Sequence, residues 1–468
     1  MLRSSIRAIA LTCTLAGPTL AAASPQPAPV RMHDAAQRRA IAATFLAEHG
    51  HEATATQQLT VTTLADHVPG SLRDAIERAN AQPGMAIVDF SPSLEGTIHL
   101  ADDALFIHDS IVIVGPGADK LAIDAGGKHS ILYAYGSDTL DLAILGLTLR
   151  GGSAASGAGM TVYNSHLLLS DTIVEDNNTI NSLGDLSGGG LYFRDGSLRI
   201  DHCVFRDNSA GAAGGGASVR NATVWIRDSS FTGNLARSGG GLHVDTPFSV
   251  DVRRSLVASN NAARRGGGIE LKATGAAAVI ENVTVSGNFA QGEQPTDGGG
   301  GIALTGSARI ALSTIAYNFA YAFQRDANVA AGVQYDSPQG LLFLNGNLLW
   351  GNATLSGGNV DLGRDGGGMI EAIHNLIGAT TPGAVNRADQ GTLLGVDPLL
   401  TPLADNGGPT HTHAIAADSP ARDAATWIQY AVDTDQRGFQ RRRHDDEVMD
   451  LGAYEHGADC LFADGFDG

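Results

Sequence analysis

Cysteine, aromatic residues and charge are all scarce in this chain. Of its 468 residues, 3 are cysteine, 6% are aromatic and 17% are charged, while glycine occurs 60 times. A disulfide framework is excluded, because Cys13 lies in a segment that we expect to be removed and only Cys203 and Cys460 remain. Abundant glycine with few charged side chains is unfavourable for a helical bundle and typical of many short strands and turns. Stability must therefore come from a long apolar core and stacked backbone hydrogen bonds.

Positive charge is also in short supply. Lys and Arg number 30 against 49 Asp and Glu, which gives a formal net charge of −19. Nucleic acid attracts basic surfaces, so it is excluded as an expected partner.

Long apolar runs are confined to the first residues. Arg3 and Arg7 flank the start of an apolar run over 8–20, and three alanines follow at 21–23. This pattern predicts a signal peptide cleaved before Ser24. The run is too short for a membrane span, which takes about 20 apolar residues, and no later stretch predicts a transmembrane helix. We expect an exported protein, extracellular or on the outer-membrane surface.

An internal repeat runs through the middle of the chain. A triple glycine followed by an alternating apolar strand recurs, in most cases about 26 residues apart, which is within the range of solenoid repeats. The triplets begin at Gly188, Gly214, Gly239, Gly266 and Gly299.

A second marker keeps step with the glycines. In each repeat an apolar residue stands three positions before an asparagine, as in Phe205 and Asn208. The asparagines are Asn177, Asn208, Asn234, Asn260, Asn288, Asn318 and Asn352. Stacked at a bend, their amides can donate to and accept from the next coil, so we interpret them as a structural ladder. Two markers in fixed phase predict strands stacked about 4.8 Å apart into one core.

The N-terminal region predicts a cap. Residues 57–63 read as a strand, and Ser71 is a plausible helix N-cap with Asp74 three residues on. The apolar stripe that follows is Leu72, Ala75, Ile76 and Ala79. A short amphipathic helix here would cover the open end of the first coil. We also expect a helix over residues 33–48, in an extension that precedes the cap.

The chain resembles bacterial β-helix proteins with a CSLREA-type N-terminal motif and a choice-of-anchor Q region, and its repeats are similar to those of polymorphic outer-membrane proteins. The motifs that carry the resemblance lie at 70–76, 113–119, 403–411, 418–421, 435–438 and 450–455. Gly70 stands where cysteine is common in that motif. The resemblance implies an all-β, single-stranded right-handed parallel β-helix at the cell exterior. It implies no defined reaction.

These patterns divide the chain into six segments. They are a signal peptide (1–23), an N-terminal extension (24–56), a cap with the first coils (57–110), regular coils (111–352), irregular C-terminal coils with a closing cap (353–456) and a tail (457–468). The tail contains Cys460, whose role the sequence leaves open. We expect a monomer.

The candidate binding and catalytic residues lie at outward positions of the strands that follow the glycine triplets. One predicted line holds Tyr192, Ser218, His243 and Glu270, and the next holds Arg194, Arg220, Asp245 and Lys272. His243, Glu270 and Arg220 are the candidate catalytic residues, since a histidine beside a carboxylate can act as acid and base. Tyr192, Arg194, Asp245 and Lys272 are the candidate ligand-binding residues, with cations suited to sugar acids. The simpler interpretation is a solvated sheet face with cross-strand ion pairs.

Other candidate sites are weaker. Segments 200–205 and 224–231 resemble a strand and turn of pectate lyases, but neither the clustered aspartates for calcium nor the arginine motif accompanies them. The sequence therefore predicts no cofactor, and calcium lacks a motif. His411 and His413 lack partners at ligand spacing, so no metal is predicted. Cys203 aligns with inward positions and reads as a core residue.

Two classes of function remain open. The first is a non-enzymatic adhesion or glycan-contacting module, with a polysaccharide or cell-surface glycan as partner. The second is a polysaccharide lyase or hydrolase with its cleft on an outward sheet face. A structural spacer without either activity is the third interpretation.

Overall fold

A computed structural model describes most of the chain. The described residues are 32–51, 57–179, 188–292, 297–321, 329–355, 358–389, 391–425, 433–441 and 448–457. The predicted signal peptide and the Cys460 tail lie outside these residues. Within them the chain has two helices, α1 (Ala35–Glu48) and α2 (Leu72–Ala81). Neither helix combines the length and the apolar character that a bilayer crossing requires.

The strands of the described chain return to the same place on each coil. The first sheet has 18 strands among the described residues. They are Gln57–Val61, Ala86–Phe90, Leu105–Ile107, Ile111–Val114, Leu132–Ala134, Leu140–Leu145, Met160–Ser170, Leu191–Asp201, Ala217–Arg227, Leu242–Thr246, Val250–Arg253, Ile269–Glu281, Ile302–Ala311, Val333–Asp336, Leu341–Asn345, Leu362–Asp365, Met369–Ile373 and Arg387–Ala388.

The second sheet lies after the first on each coil and has 12 strands in the described ranges. They are Gly96–His99, Leu121–Asp124, Thr148–Arg150, Ile173–Glu175, Val204–Arg206, Ser230–Thr232, Leu256–Ala258, Thr284–Ser286, Thr314–Ala316, Leu348–Trp350, Leu376–Ile377 and Leu393–Leu394. Two-residue strands form the remaining ladders at Ser153–Ala154, Asn178–Thr179, Leu235–Ala236, Asn261–Ala262, Phe289–Ala290, Phe319–Ala320, Ala353–Thr354 and Gly358–Asn359.

The repeat predicted from the sequence is one coil of a parallel solenoid. The first strand residue after each triple glycine pairs with its counterpart on the next coil, as Ala217 does with Leu191 and with Leu242. Inward residues such as Phe193 and Ile200 are fully buried in one continuous core. The prediction of a β-solenoid is confirmed.

The seven asparagines lie in one buried column. The side-chain Nδ2 of each of the first six donates to the Oδ1 of the asparagine on the next coil, at 2.8–3.0 Å. Each Nδ2 also donates to a backbone carbonyl, as Asn208 does to Val174 at 2.9 Å. The column ends on a carboxylate, since Asn352 donates to Asp361 at 2.7 Å. The amides thus satisfy one another where water is excluded.

The glycines of one triplet serve different purposes. Gly214 has a φ of +67°, which L side chains rarely adopt. Gly215 has ordinary torsions, but a Cβ there would lie 2.4 Å from the carbonyl oxygen of Gly240 on the next coil. The first glycine therefore makes the turn, and the second allows neighbouring coils to approach.

Helix α2 closes the first end of the core, as predicted. The Ser71 hydroxyl accepts from the backbone N–H of Asp74 at 3.1 Å. The four apolar residues of the predicted stripe are all buried in the main core.

Helix α1 packs against the outside of the first sheet. Its Ala42, Phe45 and Leu46 cover apolar side chains of successive coils. The covered side chains are Val112, Val114, Ala143, Leu145 and Leu168. These strands are apolar on both faces because one face meets the core and the other meets α1.

The C-terminal residues run back along the second sheet. Ile415, Met449 and Leu451 pack on Leu348 and Leu376 of successive coils. Buried ion pairs hold this segment together.

The residues of the closing motifs form these pairs. Arg437 contacts Asp435 at 2.7 Å and Arg441 contacts Glu455 at 3.1 Å. His413 lies between Ser286 and Thr401, with both ring nitrogens at 2.8 Å. Burial lowers its pKa to about 4, so this histidine is a neutral structural group.

Replacement of one ladder asparagine should weaken the whole solenoid. In Asn260→Ala, the Asn234 amide and the Phe231 carbonyl lose their partner in a buried place. We expect the free energy of unfolding to fall by about 2 kcal/mol or more, because each orphaned buried group costs about 1–3 kcal/mol. Urea unfolding of the full chain measures this, with the exposed Asn359→Ala as the control. Equal stability of the two variants would contradict the ladder's role.

Candidate functional site

The outward side of the first sheet carries two straight columns of side chains. The first column, in coil order, is Phe106, Tyr133, Thr161, Tyr192, Ser218, His243 and Glu270. The second column is Tyr163, Arg194, Arg220, Asp245 and Lys272. The pairing register therefore brings every residue predicted for binding or catalysis into two adjacent columns.

The two columns differ in exposure. Tyr192 and Ser218 have no exposed surface, and His243 and Glu270 are each 2% exposed. The interpretation of a solvated face is wrong for these four residues. Tyr192 packs edge-on against Tyr163, and Glu270 is enclosed by charged neighbours.

The second column remains accessible. The Arg194 side chain is 51% exposed and that of Lys272 is 37% exposed, while Arg220 and Asp245 are half-buried. A ligand that approaches this face therefore meets the second column before the first.

Aromatic rings extend both columns towards the N-terminal coils. The ring centroids of Tyr133 lie 6.2 Å from Phe106 and 6.0 Å from Tyr163, and Tyr135 packs edge-on against Tyr133 at 5.3 Å. Phe106 is 38% exposed and Tyr135 is 45% exposed. These rings were missed in the sequence because their coils lack the triple glycine. The alternation in residues 132–134 and 160–163 was the available signal.

Tyr163 joins the aromatic and charged halves. Burial, with Tyr133 and Tyr192 close by, raises the pKa of its hydroxyl to about 12. The hydroxyl therefore stays protonated at neutral pH and is able to donate a hydrogen bond.

A histidine and a carboxylate are in direct contact within the buried column. His243 Nδ1 lies 2.9 Å from Glu270 Oε2, and Lys272 Nζ and Arg265 Nε lie 3.3 Å and 3.5 Å from Oε1. Burial by itself would raise the pKa of Glu270. The hydrogen bond from His243 and the charges of His243, Lys272 and Arg265 outweigh it and hold this pKa at about 2. Glu270 is therefore an ionised acceptor.

The geometry defines what His243 is able to do. Because an ionised Glu270 only accepts, Nδ1 donates to it, and Nε2 is the ring nitrogen on the side away from the carboxylate. This Nε2 and the Ser218 hydroxyl on the preceding coil are buried, and neither has a hydrogen-bond partner among the described residues. A carboxylate-oriented imidazole with a free nitrogen is a suitable general base, but here it is enclosed.

The predicted core role of Cys203 agrees with its surroundings. The thiol is completely buried, and burial raises its pKa well above the usual value. Its backbone N–H donates to the Ser229 hydroxyl at 3.0 Å, and Ser229 repeats this contact with Ser255. A protonated, enclosed thiol in a structural column is a poor nucleophile.

Comparison with known proteins agrees with the observed architecture. A family model described as the right-handed β-helix region matches residues 130–316, which is less than half of the chain. The fold is a right-handed parallel β-helix. A crystal structure of the pectate lyase Pel9A is similar to this β-helix, with 15% sequence identity and a TM-score of 0.40. The likeness covers 86% of this chain and 96% of that one. Comparison with curated proteins finds no match.

The charge state of Glu270 predicts a pH-dependent contribution to stability. A pKa of about 2 instead of the usual 4.5 corresponds to about 3 kcal/mol. Because the folded-state pKa is lowered, this contribution is complete above pH 4.5 and is lost as the pH falls towards 2. We expect Glu270→Gln to be less stable than the wild type at neutral pH, with a difference that shrinks over that interval.

Urea unfolding at several pH values measures the difference. Glu371→Gln is the control, since it removes the carboxylate of a surface pair whose Arg387 is 80% exposed. If the difference in free energy of unfolding between Glu270→Gln and the wild type stays constant from neutral pH to pH 2, Glu270 does not have the lowered pKa.

Proposed function

We propose that this β-helix binds a polysaccharide that contains sugar acids along the outward side of its first sheet, without catalysis. The observation that carries the proposal is that exposed and half-buried aromatic rings and cations follow one another on successive coils. The buried His243 and Glu270 support a binding role over a catalytic one, because the accessible groups are those suited to contact.

The aromatic half suits the flat, apolar faces of sugar rings. Four large rings lie on three consecutive coils, and aromatic side chains line many ligand sites. They are Phe106, the pair Tyr133 and Tyr135 on one coil, and Tyr163. Their side chains hold one another, so little freedom is lost when a ligand arrives.

The charged half suits carboxylates. Arg194 and Arg220 occupy adjacent coils in the second column, and Lys272 follows after Asp245. A guanidinium offers paired donors to a carboxylate, and the ammonium adds a point charge. The local cations would draw a sugar acid to this face although the whole chain is acidic.

The size of the face fits an oligosaccharide. From Phe106 to Lys272 the columns cross seven consecutive coils. With coils about 4.8 Å apart the face is roughly 29 Å long. An extended polymer lying along the solenoid axis would contact both halves at once. The exported location expected from the N-terminus is part of this proposal, since such polymers occur outside the cell.

Binding of uronic-acid polymers by the full chain tests the proposal. We expect Tyr133→Ala and Arg194→Ala each to weaken binding about tenfold or more, which corresponds to about 1.4 kcal/mol. Added salt should weaken the Arg194-dependent part, because exposed charges are screened. Isothermal titration or glycan arrays measure these effects.

Matched controls lie outside the two columns. Tyr321→Ala removes an aromatic side chain that is 39% exposed, and Arg387→Ala removes an arginine that is 80% exposed. If the controls lose as much affinity as the column variants, or if no sugar acid polymer binds, the proposal fails.

A lyase or hydrolase is the second candidate, favoured by the unpartnered Nε2 of His243. If the chain is such an enzyme, His243→Ala and Arg220→Ala should abolish turnover of uronic-acid polymers while circular dichroism stays unchanged. Lyase products absorb in the ultraviolet, and hydrolysis releases reducing ends, so the two activities are distinguishable. If the chain binds the polymer but forms neither product, with or without calcium, the enzyme hypothesis is wrong and the binding hypothesis stands.

A further inference from the structure

Four titratable side chains converge where α1 ends against the first sheet. Asp141 and His166 lie on adjacent coils in register, and His49 and His51 follow the last turn of α1. Asp141 Oδ1 is 2.8 Å from His166 Nδ1 and 4.0 Å from His49 Nε2, while Oδ2 is 2.6 Å from His51 Nε2. All four are partly buried and stand apart from the two columns described above.

The orientation of His49 is unusual for a plain hydrogen-bond cluster. Its Nδ1 lies 2.8 Å from the Phe45 carbonyl oxygen. Because a carbonyl only accepts, Nδ1 carries a proton in this contact, and Nε2 is the ring nitrogen directed towards the Asp141 carboxylate. The 4.0 Å between His49 Nε2 and Asp141 Oδ1 leaves room for a cation between these two atoms.

We propose that His49, Asp141 and His166 bind a divalent transition metal of the zinc class. One ligand atom from each lies within 4.8 Å of the others. Bonds of about 2.0–2.1 Å in a tetrahedral site place ligand atoms about 3.3 Å apart, so small side-chain rotations complete the site. Imidazole nitrogens favour zinc-class metals over calcium or magnesium, which prefer oxygen ligands.

The surrounding contacts match those of metal ligands. A ligating histidine commonly donates its other N–H to a backbone carbonyl, as His49 does to Phe45. His51 holds the second oxygen of Asp141 and so orients the carboxylate. His51 thus acts as a positioning residue.

A neighbouring cluster lacks these properties. Asp201, His202 and Asp228 also come within ligand reach of one another. Arg254, however, binds both oxygens of Asp228, at 2.8 Å and 2.6 Å, and its positive charge opposes a metal ion there.

The proposed site has an open side. A cavity of about 170 Å³ is bordered by both His49 and His166, and by Phe45, Ser197 and Trp225 among others. With three protein ligands, the fourth position of the metal would face this cavity and hold water or a small ligand. The metal would also fix the end of α1 to two coils of the β-helix.

Metal binding by the full chain tests this inference. After dialysis against a chelator, we expect one Zn²⁺ per chain by isothermal titration, a rise in Tm on Zn²⁺ addition, and a visible tetrahedral spectrum with Co²⁺. Loss of an outer-shell partner typically weakens metal binding about 10-fold to 100-fold, and we expect a loss of that size for His51→Ala. His49→Ala and His166→Ala each remove a proposed ligand, so each should weaken Zn²⁺ binding by more than about 100-fold.

Two further variants keep the outcome clear. Asp141→Asn keeps the shape of the side chain and should lose the metal while circular dichroism shows a folded chain. His108→Ala removes an exposed histidine elsewhere and should bind Zn²⁺ as the wild type does. Absence of Zn²⁺ binding, or binding that the His49 and His166 variants leave unchanged, would overturn the site.

Discussion

The structure depends on coils that stack in parallel register, one residue above its counterpart. In this arrangement a side chain is surrounded by the same position on the coils before and after it. Polar groups at the bend, such as Asn234 and Asn260, are therefore satisfied by their own copies, and the column needs a different residue only at its end. Asp361 meets that requirement, since it accepts from Asn352 without a further amide to follow. The same stacking turns single residues per coil into long columns on the outside.

The outer surface of the solenoid serves several purposes. Part of the first sheet is apolar and covered by α1, and the second sheet is covered in part by the C-terminal segment through Leu348 and Leu376. The outward positions that precede these covered surfaces along each coil carry the aromatic rings and cations of the two columns. The proposed ligand face therefore lies on the same sheet as a surface that α1 covers at the N-terminal coils. The buried Glu270 contacts both His243 and Lys272, the last cation of the second column.

The sequence predicted those parts of the site that repeat with the coil. Tyr192, Ser218, His243 and Glu270 align because each follows a glycine triplet at the same distance. Their burial was not predictable from alternation, which separates inward from outward but does not tell which outward positions are enclosed by neighbours. The aromatic rings at Tyr133 and Tyr163 escaped notice because their coils carry no triplet. The cluster at Asp141 was equally hidden, since His49 and His166 are distant in sequence and meet only through the docking of α1.

Local periodicity was enough to determine the solenoid, the asparagine column and the capping helix α2. Each of these requires only that a pattern recur at a fixed spacing, and packing of the apolar side chains then stabilises the structure. The tertiary structure decided where α1 docks, that the C-terminal residues run back along the second sheet, and which side chains of the outward columns meet solvent. These depend on contacts between segments far apart in the chain, whose geometry is set by packing and leaves no repeating signal in the sequence.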